Sequence, residues 1–424
     1  MLNVLKQRNF FLLWLGQLIS IIGDWVLVIA LPFYTYNLTG SALASGGMFI
    51  VSTLPRLLLG SVAGVFVDRW DRKRTMIAAD FLRVLLTLML FLVRSRDLLW
   101  LIYASAFLES VVSQFFNPAK SAVIPMLVDK KDLLTANSLN GLSDALTRLV
   151  GSALGGMLLT WLGFSFVVFF DAATFLVSAL MIMLVVIPRH PVEHAAPGTT
   201  AASTKMADIW RDWIAGLKLV KRERLLLALF IVMGVALLGD GMVTVLIVPL
   251  VKNLMGGEAQ LLGWLMAAEG IGGLLGGLLV GQFGKRIPPR LLSTVALVSA
   301  GLVIIALFTF PHSFLVYPLL GFVGLTATAW FTSAETLLQM GVSDQFRGRI
   351  FGTLGTTMAL AGLIGMAFAG TMADRVGLVP ILSISASLYL LSGLLAWTLL
   401  PRASFSQLPP PAAAEASLST SHSV

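Results

Sequence analysis

The sequence predicts an all-α integral membrane protein of twelve spans, built as two homologous halves of six. Three observations carry that reading. The 424 residues are 57% hydrophobic and only 12% charged, about half the charged fraction of a soluble chain, and mean hydropathy is +0.91. Apolar stretches of bilayer length recur along the chain, and only a helix satisfies its own backbone in lipid. Landmarks also repeat in order at one spacing. Gly23-Asp24 returns 216 residues on as Gly239-Asp240, and Gly151-x-x-x-x-Gly156 returns 214 on as Gly365-x-x-x-x-Gly370. Gly64-x-x-x-Asp68-x-x-Asp71-Arg72-Lys73 returns 213 on, degraded, as Gly277-x-x-x-Gly281-x-x-Gly284-Lys285-Arg286. Such a duplication suits a membrane machine with a site between facing halves.

The spans fall at about 10–35, 42–67, 75–93, 98–117, 141–162 and 165–187, then 225–250, 260–283, 291–310, 314–335, 351–373 and 378–400. The domains are therefore a six-helix bundle over 1–187, a linker over 188–224 and a second six-helix bundle over 225–401. The first part of the linker, rich in Pro, His, Ala and Thr, reads as flexible. Its second part sets Ile209, Trp210, Trp213, Leu217 and Val220 among Arg211, Lys218, Lys221 and Arg222, the pattern of an amphipathic helix on a membrane surface. A plain basic linker is the alternative. Residues 402–424, with Pro409-Pro410-Pro411, read as a disordered tail.

Orientation follows from the basic residues. With both termini inside, inner segments hold 22 of the 29 Lys and Arg, and the outer loops hold four: Arg94, Arg96, Lys252 and Arg375. That bias places both termini in the cytoplasm of a multi-pass cell-membrane protein. It also accounts for the net charge of +8 without nucleic acid. Lys6 and Arg8 lead into an apolar run too long for a cleavable signal. There is no cysteine, hence no disulfide or thiolate metal site. The four histidines (His190, His194, His312 and His422) fall in expected loops or the tail, which excludes an intramembrane histidine-metal centre or a His-based triad. No metal or other cofactor is expected, and the protein is expected to be a monomer.

The sharpest local motif runs Gly64-Val-Phe-Val-Asp68-Arg69-Trp-Asp71-Arg72-Lys73-Arg74. Gly64 permits close approach of a neighbouring helix, Asp68 sits where its helix leaves the membrane, and the basic cluster suits the anionic inner face. The bland reading is a topogenic basic loop. This segment resembles the signature inner loop of the major facilitator superfamily, whose consensus has Gly at the position of Asp71. The form Asp-Arg-x-Asp-Arg-x-Arg is similar to the branch of drug:proton antiporters containing macrolide and siderophore exporters. Leu31-Pro32, Leu38-Thr39-Gly40-Ser41, Asn117-Pro118-Ala119, Ile124-Pro125 and Ala136-Asn137 agree with that branch.

The resemblance implies two pseudo-symmetric six-helix bundles around a central cavity lined by spans one, four, seven and ten. It also implies that Asp68, Arg69 and Arg72 form an inner gate that contacts the second half. Gly151-Ser152-Ala153-Leu154-Gly155-Gly156 resembles the exporter motif Gly-Pro-x-x-Gly-Gly, with Ser152 in place of Pro. It implies antiport and a tight helix seal, expected against the other half; losing the proline removes a fixed kink. Generic small-residue packing is the alternative. Arg148, one turn before, belongs to the same segment.

Asp24, Glu109, Asp240 and Glu269 stand alone deep in apolar runs. A charge there costs at least about 2.5–3.5 kcal/mol, so each pairs, faces water or takes a proton. By the family fold Asp24, Glu109 and Asp240 face the cavity and Glu269 flanks it. These four are the candidates for proton coupling and substrate binding; structural roles at helix ends or in ion pairs are the alternative. Arg56 follows Pro55 in the middle of span two; it either pairs with Asp24 or faces the cavity to bind an anionic substrate. Asp80 and Arg83, at i and i+3, read as an internal pair, Asp144 and Arg148 likewise, and Asp171 as interfacial.

The leading function is export of amphipathic small molecules, drug- or siderophore-like, by proton antiport across the bilayer. A lipid or lysolipid translocator on the same scaffold is the alternative. A ligand-sensing receptor would need an output domain that this sequence does not show, and an integral-membrane enzyme would need clustered catalytic groups.

Overall fold

In the computed structural model the described residues are 2–187 and 213–402, apart from 68, 130–131, 215–216, 219, 222, 313 and 341–343. Among them there is no strand. The long helices are α1 (Arg8–Thr39), α2 (Ala42–Val67), α3 (Arg72–Met89) and α4 (Trp100–Leu127), followed by the helical stretch Leu133–Leu184. Gly163 breaks that stretch with φ 80° and ψ 173°, a conformation that only glycine adopts freely. Its arms are α5 (133–162) and α6 (164–184). Then come α7 (Arg224–Pro249, extended by a π turn, Leu250–Leu254), α8 (Ala259–Phe283) and α9 (Pro289–Thr309). The last three are α10 (Val316–Met340), α11 (Asp344–Val376) and α12 (Leu378–Leu399). The order is the one expected for twelve spans.

Several helices overrun the expected boundaries. The fourth span was expected to end at 117, before Pro118, yet α4 continues through Pro118 and Pro125 to Leu127. A bundle helix tolerates proline where neighbours satisfy the freed carbonyls. Lys120, expected in a loop, therefore stands within α4. In the same way α5 begins at Leu133, eight residues before its expected start.

Two compact units are present: Met1–Thr204 with Gly256–Ala267, and Lys205–Met255 with Ala268–Val424. The first part of α8 joins the first unit because glycines bring backbones together. A Cβ on Gly156 would run into the Ala259 carbonyl, and one on Gly263 would lie 2.5 Å from the Ser152 carbonyl. Gly156 thus meets the start of α8 within the first unit. Gly151 and Gly155 do something else: their faces lie against Ile22, Trp25 and Val26 of α1.

The sequence repeat is also a packing repeat. In the first unit Gly151 of α5 abuts Ile22 of α1, and in the second Gly365 of α11 abuts Leu238 of α7. Gly23 of α1 faces Asp171 and Thr174 of α6, while Gly239 of α7 faces Ser385 and Tyr389 of α12. Each unit therefore joins its first helix to its fifth and sixth through the same positions. What differs is chemistry: the residue 214 positions after Asp171 is Ser385.

Two apolar clusters close the first unit at its two ends. One gathers Phe10, Leu13, Met76, Phe116, Val123 and Ile182; the other gathers Val26, Ala30, Leu90, Ile102 and Val167. The second unit centres on Leu226, Leu229, Met233, Trp330 and Leu337. Val220 is buried in that core with Leu217 packed against it, and Trp213 Nε1 donates to Thr357 Oγ1 at 3.0 Å. Trp213, Leu217 and Val220 of the expected linker helix are thus seated on protein. Ile209, Trp210, Arg211 and Arg222 lie outside the described residues, as does the tail from residue 403.

Candidate functional site

On four helices of the first unit the chain between the two apolar clusters turns polar at the same level. On α1 that stretch holds Gln17, Ser20 and Asp24; on α3, Asp80, Arg83 and Thr87; on α4, Ser105, Glu109 and Ser113; on α6, Asp171, Thr174 and Ser178. Asp80, Thr87, Asp171 and Ser178 are fully buried. Polar side chains this deep need partners, and in this layer most find them in one another.

The layer has a structural half and an acidic half. In the first, Arg83 Nη1 lies 3.5 Å from Asp80 Oδ1, the expected i, i+3 pair. Ser178 donates to Asp80 Oδ2 at 2.7 Å, and Gln17 Nε2 donates to Ser178 at 3.3 Å. Arg83 Nη2 donates to Ser113 Oγ at 2.8 Å. Its guanidinium stands 4.7 Å from the Phe116 ring centroid and 5.3 Å from that of Phe175. Two ring faces and a carboxylate thus hold one cation.

In the acidic half, Thr87 Oγ1 lies 3.3 Å from Glu109 Oε1 and 3.2 Å from Asp171 Oδ2. Ser105 Oγ stands 3.0 Å from the same Glu109 oxygen and 3.1 Å from the Leu86 carbonyl. The other Asp171 oxygen, Oδ1, is buried with no hydrogen-bond partner, against the bare face of Gly23. Asp24 adjoins this group, with Arg83 and Lys120 as its cationic neighbours and Glu109 and Asp171 as acidic ones. Among the described residues no set of three His, Cys, Asp or Glu side chains is placed to hold a metal ion.

Of the expected coupling residues, Asp24 and Glu109 come together here. Arg56 does not: it is exposed on α2, and the charged neighbours of Asp24 are Arg83 and Lys120 instead. Asp171, expected at an interface, lies at the middle of the bundle, because 164–168 of α6 pack into an apolar cluster before the acid is reached. Sequence reasoning missed Thr87, Ser105 and Lys120 as members of the layer. The available signal was a hydroxyl or acid at one common depth on four spans.

Asp240 and Glu269 belong to the second unit. Asp240 is exposed and accepts a bond from Tyr389 Oη at 3.0 Å. Glu269 is partly buried, in the helix α8 whose Gly272 and Gly276 pack on the α10 backbone at Gly321 and Leu325. Arg148 of α5 lies with its guanidinium 5.6 Å from the Trp25 ring centroid.

At one end of the first unit the basic loop is pinned by helix ends. Asp71 caps α3, accepting from Arg74 N at 2.8 Å. Arg72 donates to the Ala122 carbonyl at 3.4 Å, near the end of α4, and Lys73 to the Met183 carbonyl at 2.7 Å, in the last turn of α6. The Met183 carbonyl is among the last four of its helix, which are unsatisfied and carry partial negative charge, so a cation settles there. Arg72, expected to engage the second half, is thus held within its own unit. Arg69, Trp70, Asp71 and Arg74 line a cleft of about 600 Å³ with Leu82 and Phe115. Gly64 lies on α2, and Asp68 falls outside the described residues.

Comparison with known proteins places this architecture. The model of the Major Facilitator Superfamily matches residues 13–366 and 229–422. Macrolide efflux protein A of Streptococcus pyogenes is 26% identical over 380 residues, covering 88% of this chain and 91% of that one. The MFS-type transporter YfiS of Bacillus subtilis (strain 168), itself uncharacterized, is 28% identical over 410 residues, covering 92% and 93%. The crystal structure of a mutant of the nucleoside transporter NupG shares the fold with a TM-score of 0.76 at 13% identity, over 93% of this chain and 100% of that one. The chain belongs to the Major Facilitator Superfamily and is a membrane transporter, not an enzyme.

Proposed function

We propose that the protein exports amphipathic small molecules, of the macrolide or siderophore kind, by proton antiport with alternating access. It sits in the cell membrane with both termini cytoplasmic and acts as a monomer. The observation that carries the reading is the acid layer of the first unit: Asp24, Asp80, Glu109 and Asp171 face Arg83 and Lys120 between two apolar clusters. Asp80 has its ion partner in Arg83; the remaining carboxyls exceed the cations beside them. Carboxyls kept at that depth, at about 2.5–3.5 kcal/mol each on insertion scales, support a role in taking up and releasing protons.

Similarity over nearly the whole length to a macrolide efflux protein supports outward transport of bulky amphiphiles. With Lys120 placed in α4, the distribution of basic residues becomes 21 to 4 and supports cytoplasmic termini. Coupling then follows from linkage: a substrate that favours one state of the carrier must weaken proton binding by the factor that protons weaken its own. Exposed Arg56 on α2 and Asp240 on α7, with Glu269 on α8, complete the set we assign to substrate. Arg69 and Arg74 act with the pinned loop at the inner end.

Cells with and without the protein, loaded with a panel of macrolides, siderophores and lysophospholipids, test the reading. Lower accumulation of a macrolide or siderophore, restored by a protonophore, is the expected result. Export that persists without a proton gradient, or export of lysophospholipid alone, contradicts it.

A further inference from the structure

Thr87 stands between two acids with a single hydrogen to give. Thr87 Oγ1 lies within bonding distance of Glu109 Oε1 and of Asp171 Oδ2. A hydroxyl has one hydrogen to donate, and an ionised carboxylate only accepts. Shared between both, that hydrogen makes two long contacts; two direct bonds form when Glu109 or Asp171 supplies a second hydrogen. The surroundings choose between them. Ser105 Oγ has one hydrogen for two acceptors, Glu109 Oε1 at 3.0 Å and the Leu86 carbonyl at 3.1 Å, so it marks neither state of Glu109. Asp171 is fully buried, and its Oδ1 has no partner. An unpartnered oxygen is tolerated far better as the carbonyl of a neutral acid than as half of a carboxylate.

We propose that Asp171 and Glu109 hold one proton between them, relayed through Thr87, and that this relay is the proton site of the antiport proposed above. In the proposed arrangement, Asp171 Oδ2–H donates to Thr87 Oγ1, and Thr87 Oγ1–H donates to Glu109 Oε1. Transfer breaks the Asp171 O–H bond as Thr87 takes that hydrogen, while the hydrogen Thr87 already carried passes to Glu109. The hydroxyl ends as it began, Asp171 becomes the anion and Glu109 the neutral acid. The two bonds are longer than an ordinary hydroxyl contact by about 0.5 Å, so transfer runs on a small approach of α3, α4 and α6. That makes the relay sensitive to how these helices move.

The charged groups beside the relay acids are Asp24 on α1 and Arg83 on α3; Lys120 of α4 stands by Asp24. Asp80 and Arg83 engage each other. Asp24 is the neighbouring acid whose own proton changes would alter which end of the relay is favoured. Neither Thr87 nor Asp171 has a counterpart of its own type in the second half, where positions 214 on are Gly301 and Ser385.

Infrared spectroscopy of the full chain in lipid nanodiscs reads the proton without any substrate. The proposal expects a carbonyl band of a buried, protonated carboxylic acid, shifting in D2O. Asp171→Asn, close in shape, should abolish it, and Asp24→Asn should shift it without abolishing it. Thr87→Val, which removes the relaying hydroxyl, should move the band to higher frequency, and Thr87→Ser should restore it. Absence of the band in the parent protein, or its survival in Asp171→Asn, overturns the proposal. If Asp171→Asn does not fold, an unshifted band in Thr87→Val overturns it equally. A band that obeys these expectations in a protein whose export ignores the proton gradient would leave the relay standing and remove the antiport reading.

Discussion

Arg83→Met is the perturbation whose size follows most directly from the structure. Arg83 is 8% exposed at its side chain and Asp80 is 0%, so removing the guanidinium strands a carboxylate that cannot reach water. Breaking a buried ion pair from one side costs about 3–5 kcal/mol. The two ring faces, Phe116 and Phe175, add about 1 kcal/mol or more. The bond to Ser113 at 2.8 Å is lost as well, giving about 4–6 kcal/mol in total.

The double variant Asp80→Asn/Arg83→Met removes both charges and leaves side chains of similar volume. The amide oxygen of Asn can still accept from Ser178. Replacing a buried pair by neutral groups is close to neutral, so the double variant should lose no more than about 2 kcal/mol. Equilibrium unfolding in mixed micelles titrated with SDS measures four proteins: the parent, Asp80→Asn, Arg83→Met and the double variant. A double variant at least about 2 kcal/mol more stable than Arg83→Met is the expected non-additivity. If the two losses simply add, Asp80 and Arg83 are not the mutually dependent buried pair described, and the reasoning about this half of the layer is wrong.

Two further expectations concern packing and capping. Gly156→Ala puts a methyl into the Ala259 carbonyl and 2.8 Å from Gln260 Cα, which should cost about 1–3 kcal/mol. Gly141→Ala meets nothing within 4 Å and should be neutral or stabilising by up to about 1 kcal/mol; the same unfolding assay compares them, and equal effects would deny the close approach. Asp71→Ala removes the cap of α3 and should cost about 0.5–2 kcal/mol. Asp71→Ser should recover most of that loss, an outcome that a purely electrostatic role for Asp71 would not produce.

What could be read from the sequence divides along physical lines. The spans and their order were legible because hydropathy acts on each helix alone. The duplication was legible because glycine spacing survives where other residues drift, and Gly23 and Gly239 do face equivalent helices. The Asp80–Arg83 pair was legible because one helix turn sets its geometry. Contacts between helices were not. Asp171 looked interfacial by its distance from a helix start, and Arg56 looked like a partner for Asp24 by depth; both depend on which way a helix face turns. Thr87 and Ser105 carried no signal singly, since hydroxyl residues are common in bundle helices. Only their shared level with Glu109 and Asp171 marks them. Lys120 was missed because Pro118 argued for a helix end that the bundle overrides.

Proton flux in proteoliposomes tests the central claim most directly. The purified protein is reconstituted with a pH-sensitive dye in the lumen, and a macrolide gradient is imposed across the membrane. The account predicts a macrolide-driven pH change in the lumen for the parent protein, and its loss in Glu109→Gln while that variant remains folded. Macrolide movement with no pH change, or an undiminished change in Glu109→Gln, would contradict it.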